Sequence, residues 1–383
     1  MLPSADPSCV SSTFLRAFSG LVDPRRVHLR RYELSDLILL AITGVLAGCE
    51  SWDEIADYGK ARKSWFQDRL GRFPHGMPSH DTIGRVFRLL DSTAFAQAFA
   101  RWVDSVLGQV LGVIAIDGKT SRGSRDGAEV DPIHTVSAFA AGYGLTLAHV
   151  AVESGKTEST TIPQVLSMLA LQGTVVTIDA IGCQHDIVAA IRDRKGDYLL
   201  SVKGNQPTLL QEISEYFVAA DDCHWQGMTH TTATLSESGH GRKEIRTAWA
   251  CPVNKPWLAD WTGIAQIVRI RNERTVKGKT TINDSYYITS SHREAGTLLK
   301  FKRQHWGIEN RVHWVLDVAF TEDRSRVRKD HAAHNFVTIR RLALNILRRQ
   351  ESKKGLNRRR RMAGYETKCL EEILLLTNGS VTQ

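Results

Sequence analysis

The amino-acid sequence predicts an α/β protein: a mixed β-sheet with helices on both faces, preceded by an all-helical segment and carrying a β-rich insertion. Three observations predict it. Residues 33 to about 110 show helical periodicity and helix-start signals with no strand pattern. From there to about 210, short apolar runs alternate with helix-length segments. From 219 to about 290, glycine, threonine and short alternating runs replace that pattern, and helical periodicity then returns.

In the helical segment, Ser35 is placed to cap an apolar helix over 36–46. Ser51-Trp52-Asp53-Glu54 has the spacing of a capping box, in which serine and glutamate side chains each satisfy a free backbone N–H of the first turn. Another helix starts near Ser79 and sets Arg85 and Arg88 on one face, with Ile83, Val86, Phe87 and Leu90 on the other. Such a helix suits a helix-turn-helix entering a major groove, although a packing helix with a solvated face is the somewhat favoured reading.

Strands are expected over 113–117, 133–140 and 145–152, the last two joined by a turn at Gly142 and Gly144. A helix over 161–171 leads into a strand over 175–179, a helix over 185–194 into a strand over 198–203, and a third helix follows Pro207. Three strands followed by alternating helices and strands is the order of the RNase H-like fold, whose first and fourth strands lie side by side. Asp117 and Asp179 close those two strands, so the fold would bring them together. The insertion contains alternating runs at 264–270 and 281–288, and helices are expected again over 295–319 and 335–349. The chain thus divides into a helical domain (1–108), an RNase H-like domain (109–350) with the insertion at about 219–290, and a basic tail (351–383). The tail reads as weakly ordered apart from a short helix over 370–376.

With 383 residues, 42% apolar and 24% charged, the chain can build a sizeable core in two or three domains. Its net charge is +9, and between Arg340 and Arg361 ten Lys or Arg face only Glu351, so that stretch alone matches the excess. Such asymmetry favours a polyanionic partner. Six cysteines, Cys9 among them, without a C-x-x-C pair argue against a zinc ribbon or disulfide framework and suit reduced thiols in the cytoplasm. Residues 1–12 lack a basic start followed by an apolar core, and the apolar stretch 37–47 is too short to span a bilayer, so neither export nor membrane insertion is expected.

The acids suggest chemistry. Mg²⁺ and Mn²⁺ prefer carboxylate oxygens, and two such ions a few ångström apart activate an attacking oxygen while stabilising the leaving one. Asp117 and Asp179 supply two ligands, and a third acid is needed. His305, Glu309, His313 and Asp317 recur every four residues beside Trp306, Ile308, Trp314 and Leu316, a polar stripe that reads as semi-buried on one helix. Glu309 is the favoured third acid, with Asp317, Glu322 and Asp323 as rivals. A structural His/Glu/Asp network is the alternative, and a zinc site of His305, Glu309 and His313 would leave both strand aspartates without a role.

Lys203-Gly204-Asn205-Gln206-Pro207 follows the last sheet strand, where Lys203 and Asn205 could hold a DNA phosphate or simply form a turn. Lys119 and Arg122, just past Asp117, invite the same reading. Trp225, Trp249, Trp257 and Trp261 could include a base-stacking platform, although core packing is the plainer use. The glycines around Lys119 do not form a phosphate-binding P-loop.

Four blocks together, Ala115-Ile116-Asp117-Gly118-Lys119, Thr177-Ile178-Asp179-Ala180, Val202-Lys203-Gly204-Asn205-Gln206 and His305-Trp306-Gly307-Ile308-Glu309-Asn310 with His313-Trp314-Val315-Leu316-Asp317-Val318, resemble bacterial insertion-sequence transposases with DDE catalysis, specifically the H-repeat-associated group. The resemblance covers about residues 10 to 350. It implies an RNase H-like domain with Asp117, Asp179 and Glu309 as catalytic, metal-binding triad, two Mg²⁺ or Mn²⁺ ions, and double-stranded DNA as partner. It further implies cleavage of element ends, joining of their 3′ hydroxyls to target DNA, a homodimer in the synaptic complex, and action at the bacterial nucleoid. Related enzymes carry tyrosine, arginine and lysine around the glutamate. Lys302, His305 and Leu316 stand at those places here, so those DNA contacts do not transfer, and Arg303 or Arg311 are the candidate substitutes. A metal-dependent nuclease without strand transfer and a catalytically silent DNA-binding protein are the competing readings.

Overall fold

The computed structural model describes residues 16–125, 131–239, 241–253, 258, 260–349 and 352–375; Cys9, Trp257 and Glu351 lie outside the described residues. Strands β1 (Gly112–Thr120), β2 (His134–Ala140), β3 (Leu145–Ala151), β4 (Thr174–Ile178) and β5 (Asp197–Val202) precede the insertion, which supplies β6 (Thr231–Gly239), β7 (Arg242–Pro252), β8 (Gln266–Val276) and β9 (Lys279–Thr289). The helices are α1 (Leu34–Leu46), α2 (Trp52–Ala61), α3 (His80–Leu89), α4 (Ser92–Leu107), α5 (Glu158–Ser167), α6 (His185–Asp193), α7 (Pro207–Asp222), α8 (Ala295–His305), α9 (Trp314–Ala319), α10 (Ala332–Arg349), α11 (Leu356–Tyr365) and α12 (Thr367–Leu375).

All nine strands join one mixed sheet in the order β3-β2-β1-β4-β5-β9-β8-β7-β6. The central strands β1 and β4 are near-continuous apolar runs, as expected of parallel strands covered on both faces, and they pair in parallel from Gly112↔Thr174 to Ile116↔Ile178. The inserted strands continue this sheet: β9 runs antiparallel to β5, from Leu199↔Thr289 to Val202↔Tyr286. A strand edge left open at β5 would expose unpaired backbone groups, and β9 covers it.

In the helical segment the Ser51 hydroxyl accepts from the Glu54 N–H at 3.2 Å, while the Glu54 carboxylate takes the N–H of Glu50, one residue before the expected partner. Ser79 likewise accepts from Thr82. Ser35 does not cap α1: the helix begins at Leu34 and its N-cap is Glu33. On α3 the two faces are as expected, with Ile83, Val86, Phe87 and Leu90 buried and Arg85 and Arg88 exposed.

Helix α10 joins the helical segment to the sheet. Asn335 donates to the carbonyls of Phe87 and Leu90, both at 2.8 Å, and Phe336 meets Trp52 edge-on. Farther along, Asn345 exchanges both amide bonds with the backbone of Thr146, acting as a partner for β3 at the sheet edge. Buried apolar side chains from both parts form one continuous core.

The expectation of a weakly ordered tail gives way here. Residues 356–375 form two packed helices, because Ala363, Leu370, Ile373 and Leu374 recur at helical spacing and are buried. Arg360 is buried too. Its guanidinium donates to the Val45 carbonyl at the C-terminal end of α1 and to Glu50, and lies over the Phe320 ring. Arg340 and Arg341 are also buried, facing Glu50 and Glu322. Part of the basic run is therefore consumed inside the protein. No helix among the described residues is long and apolar enough to cross a membrane.

Candidate active site

Parallel pairing of β1 with β4 stops at Ile116↔Ile178, so Asp117 and Asp179 are the next residues on neighbouring strands. Strands in a sheet lie ~4.8 Å apart, and equal offsets from a matched pair put both side chains on the same face. Strand β1 does not end at Asp117: pairing with β2 carries it on to Thr120. What ends at Asp117 is its contact with β4, and that opens the sheet beside the carboxylate. Asp179 does begin a turn, accepting from the Ile181 N–H at 3.0 Å.

Asp117, Asp179 and Glu309 line one cavity of about 340 Å³, together with Lys203, Lys302, His305 and Trp306. Glu309 reaches it from a five-residue π-helical turn, Glu309–His313, that separates α8 from α9. The expected single helix over 295–319 is thus interrupted, and π turns of this kind recur at functional sites. The polar stripe survives the interruption. His305 contacts the Thr177 hydroxyl at 3.1 Å, His313 faces Asp117 at 3.5 Å, and Asp317 takes the Lys119 ammonium at 2.7 Å.

The rival third acids are engaged elsewhere. Asp317 and Asp323 share Lys119, and Glu322 is fully buried between Ser121 and Arg341. Among the described residues, no lysine or arginine forms an ion pair with Asp117, Asp179 or Glu309. Nor does any group of three His, Cys, Asp or Glu side chains among them already stand at metal-coordinating spacing.

Burial pushes the Asp117 carboxyl up to about 7, and the charges of Glu158, Glu309 and Asp179 push the same way against the Gly118 N–H. Burial also holds His313 down at about 3, helped by Arg341 and Lys119, so its ring is neutral and its contact with Asp117 is no ion pair. His305 is lowered for the same first reason, as is Lys302. Asp117 is half-buried and Asp179 and Glu309 are open to solvent, and carboxylates gathered at one cavity with no cationic side chain paired to them are a donor set suited to a hard divalent cation.

The residues expected to touch DNA are dispersed. Lys203 lines the acid cavity, whereas the Asn205 amide donates to the Ala180 carbonyl and braces the loop after Asp179. Lys119 is buried in its two ion pairs and is not presented to a phosphate. Arg122 is exposed. Arg303 pairs with Glu237, and Arg311 packs over Phe139 and donates to the Ala141 carbonyl. Arg88 pairs with Asp330, while Arg85 lines a second cavity of about 580 Å³ with Arg25, Arg26 and Arg31.

Trp225 and Trp249 stack inside the protein with Arg269 between aromatic rings, and Trp261 is buried against His185. Among the described residues the exposed tryptophans are Trp306 and Trp314, on either side of Glu309, where the stripe had been read as semi-buried. Two further side chains escaped the sequence reading. Glu158, the first residue of α5, accepts from or shares a proton with His134 Nε2 at 2.6 Å, and His134 Nδ1 meets the Thr120 hydroxyl at 2.8 Å. The signal available was Thr157, whose capping box with Thr160 starts the helix three residues before the expected 161.

The description "Transposase DDE domain" fits residues 87–346, and one described as "DDE_Tnp_1-associated" fits residues 15–103. The protein named "Putative transposase YncI" of Escherichia coli O157:H7 is 37% identical over 94% of each chain. "H repeat-associated putative transposase YhhI" of Escherichia coli K12 is 34% identical over 93% of this chain and 96% of its own. Among solved structures, the piggyBac transposase synaptic complex with hairpin DNA aligns at a TM-score of 0.42 and 9% identity, covering 100% of this chain and 80% of that one. On sequence similarity along nearly its whole length, the chain belongs to the insertion-sequence transposases that carry a DDE domain.

Proposed function

We propose that this transposase cuts the DNA strands at the ends of its insertion sequence and joins the freed 3′ hydroxyls to target DNA, with Asp117, Asp179 and Glu309 as the catalytic triad. The observation that carries the reading is the shared cavity: three carboxylates from three separate elements line it, and no lysine or arginine among the described residues pairs with them. The strand order β3-β2-β1-β4-β5 supports an RNase H-like domain. Residues 1–108 would then be the helical domain that binds DNA.

Asp117 would take part in binding both of two Mg²⁺ or Mn²⁺ ions, with Asp179 and Glu309 each completing one. Bound there, the ions would lower the pKa of an attacking water and stabilise charge on the leaving oxygen. In the first step water attacks phosphorus and the 3′ oxygen leaves. In the second, that 3′ oxygen attacks a target phosphorus and displaces the target's own 3′ oxygen. Lys203 and Lys302, at the same cavity, supply positive charge for the transferring phosphate. Two copies would hold the two element ends, and DNA as substrate places the work in the bacterial cytoplasm at the nucleoid.

The test is cleavage of DNA carrying the element ends in Mg²⁺. Asp117→Asn, Asp179→Asn and Glu309→Gln should each abolish cutting while end binding persists, and cutting by the Glu309→Gln protein would overturn the triad. Joining of a pre-cut end to plasmid separates a transposase from a nuclease that stops at hydrolysis.

A further inference from the structure

The helical segment carries a cavity of about 580 Å³, larger than the acid cavity at about 340 Å³, and guanidinium groups line it. One wall is the stretch 24–32 that leads into α1, and the other is the approach to α3 with one face of that helix. The first wall is folded on itself. Arg25 pairs with Asp23 at 2.7 Å and donates to the Tyr32 carbonyl at 2.6 Å, while Arg31 ties this wall to the other by donating to the His75 carbonyl at 2.8 Å. Arg26 and Arg85 are exposed, one on each wall, and among the described residues neither forms an ion pair. Asp81, one turn before Arg85 on α3, meets His80 at 3.5 Å instead. No Asp or Glu lines the cavity, while the hydroxyl-bearing Ser79 and Thr82 do. Four guanidinium groups around one recess without an acid in its lining concentrate positive potential there.

We propose that this recess clasps the phosphate backbone of duplex DNA and does not read its bases. The proposal rests on the reading of residues 1–108 as the domain that binds DNA, and it names the surface and the kind of contact. A helix reads base edges by entering a major groove about 12 Å wide. With its side chains, one α-helix is already about 10–12 Å across. Residues 24–32 flank the Arg85 face of α3, and Arg88 is held by Asp330, so α3 and its wall together are too broad for that groove. A phosphate asks only for positive charge and hydrogen-bond donors, which the guanidinium and hydroxyl groups supply whatever the base sequence.

The test is equilibrium binding of the full chain, without divalent metal, to a duplex of the element end and to an unrelated duplex of equal length, over a range of salt concentrations. Arg26→Ala and Arg85→Ala should each lower the slope of log affinity against log salt by about 1, and the two together by about 2, weakening both duplexes by the same factor. Arg85→Lys keeps a point charge that a phosphate accepts, and should recover most of the loss, whereas a bidentate base contact is not recovered by lysine. Lys60→Ala removes an exposed charge paired with Asp57 on α2 and should bind as the parent does. A loss confined to the element-end duplex, failure of Arg85→Lys to recover it, or an equal loss from Lys60→Ala overturns the clasp. Parental binding by the folded double variant overturns it too, and leaves the transposase reading standing. If the double variant does not fold, the two single variants decide in the same way. A parent chain that binds neither duplex overturns the DNA-binding reading of residues 1–108, and this proposal with it.

Discussion

The Lys119 ammonium meets the Asp317 carboxylate at 2.7 Å, joining the strand that carries Asp117 to the short helix that follows Glu309. The contact spans two elements far apart in sequence and lies beside the acid cavity without entering it. On the proposed triad, it would make Lys119 a positioning residue.

Lys119→Met should therefore lower cleavage more than it lowers DNA affinity. Leaving Asp317 without its buried partner should cost on the order of 1–3 kcal/mol of stability, and the added Asp317→Asn change should restore part of it. A Lys119→Met protein with parental stability and a reduced salt dependence of DNA binding would instead mark a phosphate contact.

The raised Asp117 carboxyl has two consequences for pH. Since its proton competes with a cation, cleavage at sub-saturating Mg²⁺ should rise with pH through about 7, and saturating Mg²⁺ should move the profile to lower pH. Without metal, the folded state keeps this proton up to about 7 while the unfolded chain releases it near 3.8, so its favourable contribution is present below 3.8 and is lost as pH rises through 7. Asp117→Asn removes that dependence. Its melting temperature relative to the parent should climb between pH 4 and pH 8, and a constant difference across that range would contradict the shift.

Arg360→Met should destabilise the protein by about 1–3 kcal/mol, because it removes the nearer cation from Glu50, leaving Arg340 at 3.5 Å, and frees the Val45 carbonyl inside the core. Thermal unfolding measures this. If the change affected only DNA affinity, the buried role assigned to the C-terminal helices would be wrong.

For DNA contact, Arg85→Ala should weaken end binding and lower the salt slope by about 1, since Arg85 opens onto a cavity shared with Arg25, Arg26 and Arg31. Arg88→Ala, which breaks a surface pair with Asp330, should change stability by less than about 1 kcal/mol. Equal effects of the two on DNA affinity would remove the distinction.

Trp306 is 52% exposed beside the acid cavity, so Trp306→Ala should cost about 1–3 kcal/mol in binding of unpaired DNA ends while leaving the melting temperature unchanged. Quenching of tryptophan fluorescence by single-stranded DNA reads the first effect.

Much of this was written in local pattern. The apolar runs around Ile114 to Ile116 and Val175 to Ile178 announce strands, because burial on both faces demands continuous apolar side chains. Their register also follows from where the aspartates interrupt those runs. Ser51 and Ser79 mark helix starts for an equally local reason, the need to satisfy free N–H groups.

Other features were decided only when the chain closed on itself. Arg340, Arg341 and Arg360 read as free positive charge until Glu50 and Glu322, remote in sequence, met them in the interior. Lys119 read as a DNA contact until Asp317 and Asp323 enclosed it. Glu158 was indistinguishable from any solvated helix-start glutamate until Gly118 let it lie against the strand. Periodicity is set by neighbours a few residues apart and can be read along the chain, whereas the fate of a charge depends on which distant charge the fold brings to it.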